Sequence, residues 1–263
     1  MSYSSASSQP NLRRDLRPTL RVYDPRVSAL LQTLAPPDAA TLAQVDLAAW
    51  VEGRGPLVPA GGNRGRVYQA VKRTLDIVGS LAVLTLLAPV MLVVWTTLWF
   101  TTGGSPIFRQ MRVGLGGRRF EIFKFRTMRL DALEQQGAVV NEQNGPVFKN
   151  RRDPRITGFG HWLRRLSLDE TPQLFNVLRG EMSLVGPRPP IPREVAQYEL
   201  RHCLRLAVKP GLTCLWQVSG RCEIDFDAWM QLDWWYVQNQ SLRTDVTLLL
   251  RTPWSVLSCR GAY

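Results

Sequence analysis

Histidine is scarce in this chain: His161 and His202 are the only two in 263 residues. Neither completes a zinc-finger spacing with Cys203, Cys214, Cys222 and Cys259, and there is no Cys-x-x-Cys pair. Acid–base or metal chemistry would therefore have to lean on carboxylates. Nothing in the cysteine pattern asks for disulfides, which points to a reducing, cytosolic setting. Acid is also in short supply. Twenty-one Asp and Glu stand against 33 Lys and Arg, a formal charge of +12 and a pI near 10.3. That balance calls for an anionic partner, whether nucleic acid, anionic lipid or a phosphorylated substrate. The length allows one sizeable domain plus an extension.

Charge of either sign is missing altogether from Ile77 to Phe108. The run exceeds the roughly 18 apolar residues that mark a membrane segment, and it starts too late for an ordinary signal peptide. Pro89 lies near its middle, where a missing N–H and a displaced carbonyl predict a kink. Each half, Ile77–Ala88 and Val90–Thr102, is about 18–20 Å long at 1.5 Å per residue. That is short of a hydrocarbon core of roughly 30 Å. Arg64, Arg66, Lys72 and Arg73 precede the run; Arg109, Arg112, Arg118 and Arg119 follow it. Positive charge marks the cytoplasmic side, and both flanks carry it. A re-entrant helix that bends at Pro89 and leaves on the face it entered satisfies both flanks. A single kinked span, which satisfies one, stays open as the alternative.

Residues 1–70, opening "MSYSSASSQP" and closing "GRGPLVPAGGNRGR", read as a variable, largely disordered N-terminal extension. Beyond the apolar run, "PIFRQMRV" and "RFEIFKFRTM" flank the glycine turn of a β-hairpin, with Lys124 and Arg126 on one face and Phe123 and Phe125 on the other. "HWLRRLSLDETPQLFNVLRGEMS" predicts a helix, the prolines of "LVGPRPPIP" an extended loop, and "REVAQYELRHCLRL" and "FDAWMQLDWWYVQNQ" further helices. The fold class is α+β, mainly α: a re-entrant membrane helix with a proline break, a short hairpin, and a cytosolic helical domain with interfacial amphipathic helices. Trp229, Trp234, Trp235 and Trp254 suit either the membrane interface or an ordinary core.

Within "RRLSLDETPQLFN" two acids, Asp169 and Glu170, stand together. Ser167-x-x-Glu170 has the spacing of a capping box, and Thr171-Pro172 offers a second helix start. Capping and chemistry are compatible here, because a helix start also welcomes phosphate.

"KRTLDIVGS", "PIFRQMRVGLGGRRFEIFKFRTM", "DPRITGFGHWLRRLSLDETPQLFNVLRGEMSLVGPRP" and "KPGLTCLWQVSGR" together resemble the bacterial sugar transferases of the small monotopic phosphoglycosyl transferase family. The resemblance covers residues 71–263 in the family's order. "DFDAWMQLDWWY" and the terminal "GAY" look most like members acting in exopolysaccharide synthesis. It implies transfer of a sugar-1-phosphate from a UDP-sugar to undecaprenyl (polyprenol) phosphate, at the cytoplasmic face of the bacterial inner membrane. A re-entrant helix over 77–102, a magnesium requirement and a covalent phosphosugar intermediate on Asp169 come with it. Glu170 falls on the family's metal-binding Glu, and Lys124 and Arg188 fall on basic residues of the phosphate site. Arg155 and Arg126 are further candidates there, as are Arg152 and Arg221. The implied partners are the UDP-sugar, the polyprenol phosphate and membrane lipids; nucleic acid is not among them, and a homo-oligomer is left open. Two departures stand out: Cys214 replaces the usual Gly, and Ala88 replaces a Ser before the proline of the break. A non-catalytic basic membrane scaffold and a membrane-anchored nucleic-acid-binding protein remain as alternatives.

Overall fold

The computed structural model describes residues 34–46, 50, 56–58, 65–142, 145–220 and 224–258. A single turn, α1 (Ala39–Leu42), is capped by Asp38, whose carboxylate accepts the Thr41 N–H at 2.8 Å. The chain then enters α2 (Arg66–Thr101), one helix that runs through Pro89. It begins eleven residues before the apolar run, because the cationic turns ahead of it have buried partners. Tyr68 and Lys72 both donate to Asp245, at 3.0 and 2.8 Å. Arg73 donates to the carbonyls of Val177 and Leu178. Asp76, itself buried, accepts from the Ser183 hydroxyl and the Leu184 N–H.

The far end of α2 is held as well. Val94 and Leu98 are buried against Phe125 and Leu163 in a second, smaller core. Between the two anchorages Leu86, Leu92 and Val93 are exposed, as are the stacked Trp95 and Trp99 near the end of the helix. One protein body therefore grips both ends of an apolar helix whose middle it leaves uncovered.

β1 (Ile107–Val113) and β2 (Arg119–Phe125) form the expected antiparallel hairpin, pairing Phe108 with Lys124 and Arg112 with Phe120. β2 separates the two cores, burying Ile122 in one and Phe125 in the other. The segment predicted as a continuous helix around the acids is broken in three. α3 (Gly158–Arg165) is capped by Thr157; Ser167 then adopts a left-handed φ of 55°. A 3-10 helix (Leu168–Gln173) carries the acids, and α4 (Leu174–Arg179) ends at Gly180. The capping box does not form, since Ser167 makes no side-chain cap at this helix start.

β3 (Ser183–Val185) pairs in parallel with β4 (Gly211–Thr213), a two-stranded sheet not anticipated from the proline-rich loop between them. The pairing needs glycine: a Cβ on Gly211 would lie 2.0 Å from the Gly186 nitrogen. Between the strands, the expected helix over 193–206 is two short turns, α5 (Pro192–Val195) and α6 (Leu200–Cys203), then a 3-10 helix (Leu204–Ala207). α7 (Leu215–Ser219), α8 (Phe226–Asn239) and α9 (Leu242–Leu257) complete the body. α8 is a core helix rather than an interfacial one, burying Trp229 and Tyr236, with Trp234 and Trp235 partly buried against the same core. Only Trp254 of the four tryptophans is largely exposed, on α9 beside Leu250 and Leu257. Cys214 starts α7 in an extended conformation open to any residue, so its departure from Gly costs no backbone strain. It and Cys203 are buried free thiols.

The segment expected to stand apart as an extension does not do so throughout: Trp50, Leu57 and Val58 are buried in the main core. That core also encloses an ion pair. Arg205 lies 2.7 Å from Asp233, with side chains 2% and 1% exposed, and it donates to Tyr198 and to the Arg188 carbonyl. Burial pushes the Asp233 carboxyl up to about 6 in spite of Arg205. Removing one partner of such a pair strands the other charge, at a cost of about 3–5 kcal/mol. Arg205→Met should therefore lower the thermal midpoint of the purified protein sharply, and adding Asp233→Leu should recover most of the loss.

Candidate active site

Six chain segments converge on one cavity of about 380 Å³, which Asp169, Glu170, Lys124, Arg126, Arg155 and Arg188 all line. The sequence separates these residues by up to 64 positions; three local devices bring them together. Asn176, fully buried on α4, accepts the Phe123 N–H at 3.1 Å and donates to the Glu121 carbonyl at 2.7 Å. Its amide acts as a short extra strand along β2 and sets the height of Lys124 against the acids. Gly160 lets α3 meet the exit of β2 backbone to backbone, since a Cβ there would lie 2.1 Å from the Thr127 oxygen. The left-handed Ser167 then turns the chain from α3 into the acid-bearing 3-10 helix. A non-glycine residue in this region is uncommon and costs on the order of 1–3 kcal/mol, an expense met more often at functional sites.

Lys124 Nζ lies 2.6 Å from Glu170 Oε1, with side chains 16% and 21% exposed. Burial pulls the Lys124 ammonium below its ordinary value, and Glu170 opposes the shift. Asp169 is 8% exposed. Burial pushes its carboxyl above the ordinary Asp value and the neighbouring Glu170 charge pushes further, while Lys124, Arg164 and Arg188 pull back. The two acids thus sit side by side in a place that tolerates them only because cations surround them.

Arg188 lines the main cavity and a smaller void behind it, and its guanidinium has no ion-pair partner among the described residues. Arg126 lines the rim, donating to the Ser105 carbonyl at 2.8 Å. Arg155 reaches the cavity wall but is spent there: it grips Asp153 at 2.6 Å and the Ala132 carbonyl at 3.0 Å. Arg152 is exposed and not among the lining residues. Arg221 lies outside the described residues.

Two cations were passed over in the sequence. Arg112 is buried beside Arg188 and Glu170, donating to the Pro189 carbonyl at 2.9 Å, and burial brings its guanidinium down to about 10. Arg164 is held by Thr127 at 2.9 Å and faces Asp169. Nothing local distinguished either from the many surface arginines. Neither histidine lines the cavity.

Magnesium fits this donor set. Among the described residues no group of three or more His, Cys, Asp or Glu is placed to hold a metal on its own. Magnesium needs less, because it takes one or two carboxylates and completes its shell with phosphate and water oxygens. Burial and the adjacent Glu170 charge both raise the Asp169 carboxyl, and a divalent ion beside it would offset both.

An apolar helix gripped at both ends by a body whose cavity sets paired acids among buried cations defines a membrane-associated protein with a site for charged chemistry. The family model described as bacterial sugar transferase matches residues 67–259, and the chain belongs to that family. Among its relatives, the UDP-galactose-lipid carrier transferase of Erwinia amylovora is 45% identical over 201 residues, 73% of this chain and 42% of its own length. The undecaprenyl-phosphate galactose phosphotransferase of Salmonella typhimurium is 42% identical over 206 residues, 75% of this chain and 43% of its own. The exopolysaccharide production protein ExoY of Rhizobium meliloti is 37% identical over 218 residues, 81% of this chain and 93% of its own. The chain thus spans less than half of the first two relatives and nearly all of the third.

The electrostatics of the acid pair lead to a direct check. In metal-free protein the Asp169 carboxyl should titrate above an ordinary Asp. Glu170→Gln, which removes the adjacent negative charge, should move it down, as read from the carboxyl carbon chemical shift. An unmoved Asp169 would separate the two acids electrostatically.

Proposed function

We propose that the chain moves a sugar-1-phosphate from a UDP-sugar to polyprenol phosphate at the cytoplasmic face of the inner membrane, with Asp169 as nucleophile. The observation that carries this reading is the placement of Asp169: a buried carboxylate at a cavity wall, backed by Glu170–Lys124 and faced by Arg164 and Arg188. The names of the relatives, which speak of undecaprenyl phosphate and a UDP-sugar, supply the substrates.

In the first half-reaction an Asp169 oxygen bonds to the β-phosphorus while the bond to the UMP oxygen breaks, and UMP leaves with that electron pair. In the second, an oxygen of the polyprenol phosphate bonds to the same phosphorus and the Asp169 oxygen departs. The carboxylate needs no base once ionised, which suits a cavity without histidine. Every reactant is anionic, and two unit charges at 4 Å repel by roughly 4 kcal/mol at an effective dielectric of 20. Arg188 is placed to orient the diphosphate, Lys124 to neutralise Glu170 or a phosphate oxygen, and Arg164 to keep Asp169 ionised. Glu170 would hold magnesium, which when bound supplies further neutralisation of the diphosphate.

The hold on both ends of α2 by one body supports a re-entrant helix that dips into the membrane over its exposed middle. The exposed Leu250, Trp254 and Leu257 on α9 fit the lipid interface where the polyprenol head lies. With the native cysteines replaced, cysteines at Gly65 and Ser105 should both resist a membrane-impermeant thiol reagent on intact cells. Labelling of only one of them would make α2 a true span.

Purified enzyme given UDP-sugars without lipid should release at most one UMP per site. Intact-mass analysis should then find a phosphosugar adduct on the peptide holding "LSLDETPQLFNVLR". Asp169→Asn should form none while retaining donor binding, and Glu170→Gln should lose most activity without losing its fold. A requirement for both substrates before any UMP appears, with no adduct, would replace this reading by direct transfer.

A further inference from the structure

The family match begins at residue 67, yet part of the main core comes from residues before it. Trp50, Leu57 and Val58 are 9%, 0% and 1% exposed. They close on the tip of the β1–β2 hairpin, where Gly116 and Gly117 take left-handed φ values of 63° and 85°. The Trp50 indole N–H donates to the Gly117 carbonyl at 2.7 Å, and the Leu57 N–H donates to the Gly116 carbonyl at 2.9 Å. The Leu57 carbonyl in turn accepts the Asp46 N–H at 2.9 Å. The fit is close: a Cβ on Gly117 would lie 2.6 Å from the Trp50 indole nitrogen and 2.7 Å from Leu57 Cβ. Arg119 stacks its guanidinium over the same indole at 5.5 Å.

The tip adjoins the catalytic cations. Val113, the last residue of β1, donates to the Pro190 carbonyl at 2.9 Å, and Arg112 donates to the Pro189 carbonyl. Both bonds fall on the loop that carries Arg188. The tip also packs on Leu204–Ala207, so Trp50 and Leu57 add to an existing contact by engaging the Gly117 and Gly116 carbonyls and covering the turn from the other chain segment.

We propose that the glycine tip of the hairpin is a docking site for this chain's own Trp50, Leu57 and Val58. By closing the tip they hold Arg112 and the Arg188 loop in place. Trp50 is then a positioning residue for the site, although it touches no reacting group and lies outside the family match. The docking stands on packing and hydrogen bonds; only its consequence for turnover rests on the proposed function.

Hydrogen exchange on the full-length protein in lipid nanodiscs tests the docking. Trp50→Ala should speed exchange at the Val113 and Gly117 amides at least ten-fold while α8 keeps its protection. Trp50→Phe, which keeps a ring but loses the N–H donor, should give the same pattern at smaller amplitude, and it carries the test if the Ala variant does not fold. In UMP release, Trp50→Ala should lower kcat/KM about ten-fold and Trp50→Phe should restore most of it. Wild-type exchange at Val113 and Gly117 in a folded variant would overturn the docking. Faster exchange with undiminished turnover would overturn the positioning role. Exchange requires no substrate, so a wild-type protein that releases no UMP would sink the proposed function and leave the docking to be judged by itself.

Discussion

Two carboxylates side by side in a buried wall repel each other, and the architecture around Asp169 and Glu170 is the answer to that repulsion. Lys124 arrives from β2, Arg164 from α3, Arg112 from β1 and Arg188 from the loop after β3. No two of the four come from the same element, so holding the acids in place requires most of the fold to be assembled. Burial lowers the Arg112 and Lys124 values, and repulsion from Arg188 lowers both further. Acids and cations are therefore mutually dependent: removing either set would leave the other uncompensated in a poorly hydrated place.

The same body solves a second problem, the handling of a long apolar helix. Its polar first turns are fastened through Lys72, Arg73 and Asp76, while its last turns are fastened by apolar contact through Val94 and Leu98. The charged end tolerates water and the apolar end tolerates lipid, which matches a helix seated at a membrane surface.

Backbone economy recurs near the site. Ser167 accepts a left-handed conformation, Gly160 and Gly211 allow close backbone contact, and Asn176 substitutes a side-chain amide for a strand. Each device is a single residue, and each fixes the relative position of two chain segments at or beside the cavity. Local backbone strain at Ser167 is offset by surrounding packing, the usual circumstance in which such strain persists at a functional site.

Much of this was legible in the residues themselves. The uncharged run required a long apolar helix, alternation around "GLGGR" required a hairpin, and the adjacent acids marked a candidate site, because each is a local pattern along the chain. The break at Ser167 was not legible: an apolar helical period runs straight through it, and only packing of α3 against β2 forces the turn. The β3–β4 pair was hidden because each strand is three residues long and its partner lies far along the chain. Arg112 and Arg164 resembled any surface arginine until burial singled them out, and Trp50 lay within an extension read as largely disordered, between its small-residue ends. Sequence by itself determined the long apolar helix and the hairpin, and which residues are chemically equipped. Tertiary structure alone decided which cations face the acids, because burial and charge compensation depend on neighbours that the chain brings together only on folding.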